Sequence, residues 1–229
     1  MDANGLVAAA FQLDDAARPT ERLGPHRLRR TDGVAPGAVE RRRVREAGIV
    51  FRVIDGAGMD DELLDTVFRM HAVTFMRRGQ SPYLNNHCFR MLRDSLGPRM
   101  VVVLAEREGQ PVACAISIRG ADALYGRYWG CLEYHDSLHF ETCFYQGIEY
   151  CIREGIARFE PGAQGEHKLR RGFDPSVTWS GHWVAEPAFA AAIDEYLDRE
   201  RDWVDRYVID ARDQLPFHRN AGDRRTDES

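Results

Sequence analysis

The segment from Phe159 to Phe173, with the sequence FEPGAQGEHKLRRGF, concentrates side chains that could perform group-transfer chemistry. Glu166 and His167 could serve as bases that take a proton from a nucleophile. The cations that follow could contact phosphate groups, and the backbone amides of the glycine-rich stretch could hold a developing oxyanion. The cations are Lys168, Arg170 and Arg171, and the amides lie at and around Gly162, Gln164 and Gly165. The sequence therefore predicts a polar site in this segment.

Each of these residues also has a purely structural interpretation. Glu166, in the first turn of a short helix, would favour the helix dipole without any catalytic task. His167 could bond a backbone carbonyl, and the arginines could lie on a solvated face. Gly172 followed by Phe173 is typical of a helix end with an aromatic plug. Both interpretations of the segment stay open at this point.

Other polar and aromatic residues could line the same cleft. Three of them share one face of a predicted strand and could grip a planar or acyl group, or instead pack beneath the first helices; they are Tyr125, Arg127 and Trp129. His182, on the polar face of a later strand, could approach His167 or pack beside Trp183. His135 and His139 stand four residues apart, as zinc ligands on a helix can. Because no third ligand follows at a suitable spacing, we predict no metal site.

Hydrophobic periodicity predicts the elements that would position these residues. Strands are expected over 49–54, 100–105, 111–118, 124–129, 157–160 and 176–184, and helices over 60–78, 86–96, 137–154 and 186–210, with a short helix before the last strand. Ser137 is expected to cap its helix and Gly155 to end it. The charge run 40–46 could bind phosphate or form a solvated helix end. This order favours a mixed α/β fold with an antiparallel meander over a doubly wound parallel sheet.

Composition limits the class of protein. With 229 residues and a net charge of −5, the chain can form one compact domain, expected over 39–217, without a field that attracts nucleic acid or anionic lipid. Residues 1–38 are expected to be a disordered tail and 218–229 a polar tail. The five cysteines include no CxxC pair and are expected to be reduced. No signal peptide or run of about 18 apolar residues is visible, so we expect a cytoplasmic protein.

Several motifs resemble one protein family over about 40–217. The sequences YGRYWG (125–130), HFE (139–141), YQ (145–146) and the segment 159–173 are similar to the FemAB-like branch of the GNAT superfamily. The resemblance implies a GNAT-like fold with a mostly antiparallel sheet flanked by helices, and it makes Glu141 a further catalytic candidate. Family members typically carry two lobes in tandem. The chain is therefore expected to be a carboxy-terminal lobe alone, or a homodimer that replaces the missing half.

One loop departs from the pattern of ordinary GNAT acetyltransferases. They have an Arg/Gln-x-x-Gly-x-Gly/Ala loop whose amides hold the pyrophosphate of CoA, whereas this chain has GCLEYHD at 130–136. In this branch the resemblance implies an aminoacyl or other acyl donor. The donor thus stays open between acyl-CoA and aminoacyl-tRNA.

The resemblance and the polar segment together predict an N-acyltransferase that moves an acyl or aminoacyl group to an amine. The acceptor is expected to be a small molecule or a cell-wall precursor. Two alternatives remain, a non-catalytic module that recognises a cell-wall or amine ligand, and an inactive truncated product.

Overall fold

The computed structural model describes residues 5–12, 36–162, 166–181, 183–213 and 215. The chain divides into two compact units, one of residues 14–162 and one that combines residues 1–13 with 163–229. The domain boundaries expected from the sequence stay a prediction.

The first unit, residues 14–162, is built on a five-stranded sheet of order β2-β3-β4-β5-β6. Its strands are β2 (Ile49–Asp55), β3 (Met100–Arg107), β4 (Gln110–Arg119), β5 (Ala123–Cys131) and β6 (Arg158–Glu160). The pairs from β2 to β5 are antiparallel, and β6 joins β5 in parallel. The predicted mixed α/β fold with a mostly antiparallel sheet flanked by helices is confirmed.

Helices cover both faces of this sheet. Helices α2 (Asp61–Met76) and α3 (Asn86–Leu96) lie on one face, where Leu64, Val67, Met70 and Phe89 pack against Leu104, Cys114 and Ile116. On the other face, Val44 of helix α1 (Pro36–Glu46) and Leu138 pack against Ala105, Val112 and Ala113. Leu138 begins helix α4, which consists of a turn at Leu138–Phe140, a π-helical segment at Glu141–Tyr145 and an α-helical segment at Gln146–Glu154. The alternation of side chains along β4 therefore separates two layers of helices.

The two ends of α4 test the predicted capping residues. Gly155 ends the helix in the left-handed conformation, at φ 66°, as predicted. Ser137 also has a positive φ of 66° but makes no side-chain hydrogen bond to the helix, so its prediction as a capping residue is wrong. Its hydroxyl donates to Asp136 instead, at 3.2 Å.

A β-bulge in β5 changes which residues share a face. The register between β4 and β5 shifts after Ile116, which leaves Arg127 as the extra residue. As a result Trp129 packs on the α4 side, whereas Arg127 lies exposed beside Tyr128 on the α2–α3 side. The prediction that Tyr125, Arg127 and Trp129 share one face is therefore wrong.

Gly130 allows the sheet and α2 to approach closely. A Cβ atom at this position would lie 2.3 Å from the carbonyl carbon of Met70. Backbone atoms cannot move aside as a flexible side chain can, so only glycine fits between β5 and this helix.

The second unit contains an antiparallel pair of strands, β1 (Gly5–Gln12) and β7 (Asp174–Gly181). A 3₁₀ helix (Glu166–Arg171) precedes β7, and helix α5 (Pro187–Asp213) follows it. Disorder was expected over residues 1–38, whereas Gly5–Gln12 forms β1 and α1 begins at Pro36. The polar tail 218–229 lies outside the described residues. None of the helices in the described part of the chain is both long and apolar enough to cross a lipid bilayer.

Candidate functional site

The π-helical segment of α4 begins at Glu141, which is buried. Only 3% of this residue is exposed, so its side chain does not lie on the helix surface. Thr142 is also buried and donates to the carbonyl of Leu138 at 2.7 Å. A π-helical turn widens a helix locally and shifts the side chains that follow, and such turns recur at functional sites. Glu141 is therefore a buried carboxylate and the candidate centre of a functional site.

Both carboxylate oxygens of Glu141 accept hydrogen bonds. Arg41 donates from Nε to Oε2 at 3.1 Å, and Gln146 donates from Nε2 to Oε1 at 2.8 Å. Arg41 also forms an ion pair with Glu149 at 2.6 Å. Glu141 is thus held in one orientation by a cation from α1 and an amide from its own helix.

Burial is the main influence on the charge of this pair. It raises the pKa of Glu141, and the bonds from Gln146 and Arg41 lower that pKa by less, so the carboxyl is a stronger base than an exposed glutamate. Burial alone would lower the pKa of Arg41, but Glu141 and Glu149 outweigh it and raise the pKa. Arg41 therefore stays charged, while Glu141 can change its protonation state.

A second contact joins α1 to α4 beside this pair. The hydroxyl of Tyr145 donates to Glu40 at 2.5 Å, and the guanidinium of Arg41 lies 5.9 Å from the Tyr145 ring centroid. Gly37 makes room for Tyr145, since a Cβ atom there would lie 3.0 Å from the hydroxyl oxygen. Arg43 extends the contact with an ion pair to Asp136 at 2.8 Å. For Arg41, whose side chain is only 23% exposed, the interpretation as a solvated helix end is wrong, whereas the exposed side chain of Arg43 fits it.

A comparison with protein families decides where the chain belongs. The model of the FemAB-like family, described as peptidoglycan biosynthesis or recognition, matches residues 38–219. The chain is a member of the FemAB-like family. This confirms the resemblance that the motifs predicted.

Solved structures similar to this FemAB-like chain include a putative lysylphosphatidylglycerol synthetase and a protein described as L-PGS. The C-terminal domain of the putative synthetase, from Agrobacterium fabrum, is 10% identical, with a TM-score of 0.45 over 72% of this chain and 52% of that one. L-PGS from Bacillus licheniformis is 14% identical, with a TM-score of 0.46 over 68% and 44%. A conserved protein of unknown function from Bacteroides thetaiotaomicron is 11% identical, with a TM-score of 0.44 over 72% and 54%. The chain spans about half of the length of these structures. No curated protein matches it significantly.

The polar segment predicted from the FemAB-like sequence is only partly described. Its cations lie in different surroundings, since Lys168 is buried and Arg170 is exposed. Arg171 donates to the carbonyl of His167 at 2.7 Å, within the same 3₁₀ helix. Gly172, at φ 85°, ends that helix as predicted. Gln164, Gly165, His182 and the side chain of Glu166 lie outside the described residues, and Gly162 ends the described part of the first unit. Their roles stay a prediction.

The histidine pair at 135 and 139 has other contacts. His135 lies 3.1 Å from the carboxylate of Glu133. The ring of His139 stands edge-on to Trp129, with 5.1 Å between centroids. Among the described residues, no group of three or more potential metal ligands comes together.

Arg41 is the site residue that the sequence analysis missed. A signal for it was present, because Gly37, Arg41 and Val44 are spaced i, i+4, i+7 and share one face of α1. Gly37 and Val44 are both buried. The same spacing distinguishes Arg41 from Arg42 and Arg45, which are exposed.

Proposed function

We propose that this FemAB-like chain is an N-acyltransferase that moves an acyl or aminoacyl group to an amine of a cell-envelope precursor, with Glu141 as the base. The observation that carries the proposal is the buried carboxylate of Glu141, whose pKa is raised by burial and whose two oxygens are both held. Membership of a family described by peptidoglycan biosynthesis or recognition supports a cell-envelope substrate.

The chemistry requires a neutral amine. An alkylamine is an ammonium ion at neutral pH, and it has no lone pair for attack until a base removes one proton. In the proposed reaction Glu141 takes that proton, and the amine nitrogen then attacks the carbonyl carbon of the donor. The new C–N bond forms as the bond from that carbon to the leaving group breaks, and the leaving group departs with the electron pair. Glu141 returns its proton to the leaving group, and the attacking nitrogen releases its second proton to water as the neutral amide forms.

The neighbours of Glu141 are suited to position it. Each carboxylate oxygen has two lone-pair directions, of which one is used by Arg41 or Gln146. A second direction on each oxygen can therefore accept a hydrogen bond from a substrate. Because the two donors come from α1 and α4, the docking of these helices sets the orientation of the carboxylate.

The loop before α4 favours an aminoacyl donor over acyl-CoA. Glu133 and Asp136 precede the helix at the place where the acetyltransferase pattern has glycines. Both side chains lie in ion pairs, Asp136 with Arg43 at 2.8 Å and Glu133 with Arg107 at 3.7 Å. A loop without those glycines lacks the close backbone amides that hold a pyrophosphate, whereas an ester-linked aminoacyl group does not require one there.

The test is an acyl-transfer assay with matched variants. Purified chain is incubated with aminoacyl-tRNAs or acyl-CoAs and with amine-bearing peptidoglycan precursors, and the products are measured by mass spectrometry. Glu141→Gln should lower kcat by roughly 10²- to 10⁴-fold, as expected for loss of a general base. Glu149→Gln is the control, because Glu149 also pairs with Arg41 but is half exposed. An active Glu141→Gln enzyme would show that this carboxylate is not the base. His167→Ala tests the base predicted from the sequence.

A second function is favoured by the wording of the family description, which includes recognition. In that case Glu141 would bind the amine of a precursor without any transfer. Saturable precursor binding that is lost in Glu141→Gln, together with no product from any donor, would support recognition over catalysis.

A further inference from the structure

Four aromatic rings of the first unit form a closed circuit, which we call the aromatic box. They belong to His71 and Phe75 of α2, Tyr83 of the connection to α3, and Tyr128 of β5. The centroids are 4.8 Å apart from His71 to Phe75, 5.5 Å from Phe75 to Tyr83, 6.2 Å from Tyr83 to Tyr128 and 4.7 Å from Tyr128 to His71. Three of these pairs meet at steep angles of 60–78°.

His71 is the polar group of the box, and its hydrogen-bonding capacity is unused. Its side chain is fully buried, and within the described part of the chain neither ring nitrogen has a hydrogen-bond partner. The other rings near it are Phe68 and Phe89, which cannot supply one. Buried polar groups are nearly always bonded, so an unpartnered imidazole indicates a group that a ligand satisfies.

The chemistry of the box selects the charge of that ligand. Burial lowers the pKa of His71, so the imidazole is neutral at neutral pH and one of its nitrogens has a lone pair to offer. The faces of the three other rings carry negative electrostatic potential, which attracts cations and repels carboxylates and phosphates. A lone pair among aromatic rings matches an ammonium group with at least one N–H.

Tyr83 is the exposed residue of the box, and a ligand can enter at its position. It is 67% exposed, whereas His71 is fully buried and Phe75 and Tyr128 are half-buried. It lies in the nine-residue connection 77–85 between α2 and α3, and its ring contacts those of Phe75 and Tyr128. Because its side chain is already largely exposed, Tyr83 can turn outward without leaving a core position.

We propose that the aromatic box binds an alkylammonium group, with His71 accepting a hydrogen bond from it and Tyr83 moving outward to admit it. The box lies on the α2–α3 face of the sheet, whereas Glu141 lies in α4 on the opposite face. It is therefore a second site, distinct from the proposed base, and the ligand can be a free amine or the ammonium of a lipid headgroup.

Binding is tested on the full chain by NMR titration with n-butylammonium, tetramethylammonium, n-butanol and butyrate. We expect the two cations to bind and the alcohol and the carboxylate to bind at least about tenfold more weakly. His71→Phe keeps a ring but removes the hydrogen-bond acceptor, so it should weaken the binding of n-butylammonium roughly tenfold. The affinity for tetramethylammonium, which has no N–H, should stay within about twofold of the wild-type value. Phe75→Leu should weaken the binding of both cations. Tyr134→Ala is the control and should change neither affinity, because Tyr134 is an exposed aromatic residue outside the box.

Each outcome bears on the proposal. Equal binding of cations and butyrate, no binding of either cation, or an unchanged n-butylammonium affinity in folded His71→Phe would overturn it. If His71→Phe does not fold, Phe75→Leu decides between the same outcomes. Vesicles that contain phosphatidylethanolamine separate the two sources, since a lipid ligand predicts box-dependent binding to them and a free amine predicts none. No acyl donor is present, so a negative result leaves the proposed transfer reaction untouched.

Discussion

Removing Arg41 should destabilise the protein in a way that depends on pH. In Arg41→Met, Glu141 stays buried but loses its cation, whereas Glu149 is half exposed and loses little. The buried carboxyl can then avoid the cost of an unpaired charge by taking up a proton. Protonation costs about 1.4 kcal/mol for each pH unit above the ordinary glutamate pKa of 4.5. This cost limits the loss of stability to about 3 kcal/mol at pH 7 and to less than about 1 kcal/mol at pH 5.

The sign of the dependence follows from the direction of the pKa shift. The pKa of Glu141 is raised in the folded protein, so the folded state holds a proton that the unfolded state has released. The stability of Arg41→Met should therefore fall as pH rises from 4.5 towards 7, by about 2–3 kcal/mol relative to the wild type. Urea unfolding at pH 5, 6 and 7 measures it. Arg42→Met is the matched control, because Arg42 is exposed and its ion pair with the exposed Glu46 is long, at 3.7 Å. Equal losses at pH 5 and pH 7 would refute the reasoning.

Three further results are expected. Burial lowers the pKa of His71 in the folded protein. As the pH falls below 6.5, the unfolded chain therefore binds a proton at His71 that the folded chain does not bind. The free energy of unfolding should then fall by up to about 1.4 kcal/mol per pH unit. Urea unfolding of His71→Phe should lack this part of the pH dependence, and an unchanged acid limb would contradict it. Gly130→Ala should lower the free energy of unfolding by about 1–3 kcal/mol or more in the same assay, because its Cβ would lie 2.3 Å from the backbone of α2. Gly58→Ala is the control, since its Cβ would lie 3.5 Å from the nearest atom, and it should stay within about 1 kcal/mol of the wild type. Burial raises the pKa of the Cys114 and Cys151 thiols to about 12, so iodoacetamide at pH 8 should label them only after unfolding. Peptide mass spectrometry measures the labelling. Rapid labelling of the native chain would contradict their burial.

Much of the fold could be predicted because its signals are local. The apolar run at 100–105 and the alternation over 111–118 gave strands whose observed ends lie within two residues. Helix α3 was predicted with its observed bounds, since Asn85 caps it and the apolar repeat ends at Leu96. The bulge at Arg127 could not be predicted in this way. It depends on how β4 and β5 pair, and no single strand records that pairing.

The candidate site was harder to predict because its parts are far apart in the chain. Glu141 entered the prediction only through the family motif. Its partner Arg41 lies 100 residues away, in a run of charges that is usually solvated. The π-helical segment that begins at Glu141 has no sequence signature comparable to a helix cap.

The stability of Glu141→Gln separates a catalytic glutamate from a structural one. A buried carboxylate with a raised pKa is a burden on the folded state at pH 7, and an uncharged amide of the same shape relieves it. Arg41 keeps Glu149 as a partner, and the amide of Gln146 can rotate to accept a bond from the new side chain. The variant should therefore unfold at the wild-type urea concentration or a higher one while losing acyl transfer. If its role were only to join α1 to α4, the substitution would lower stability and leave the chemistry intact. A residue retained against stability is one that function requires.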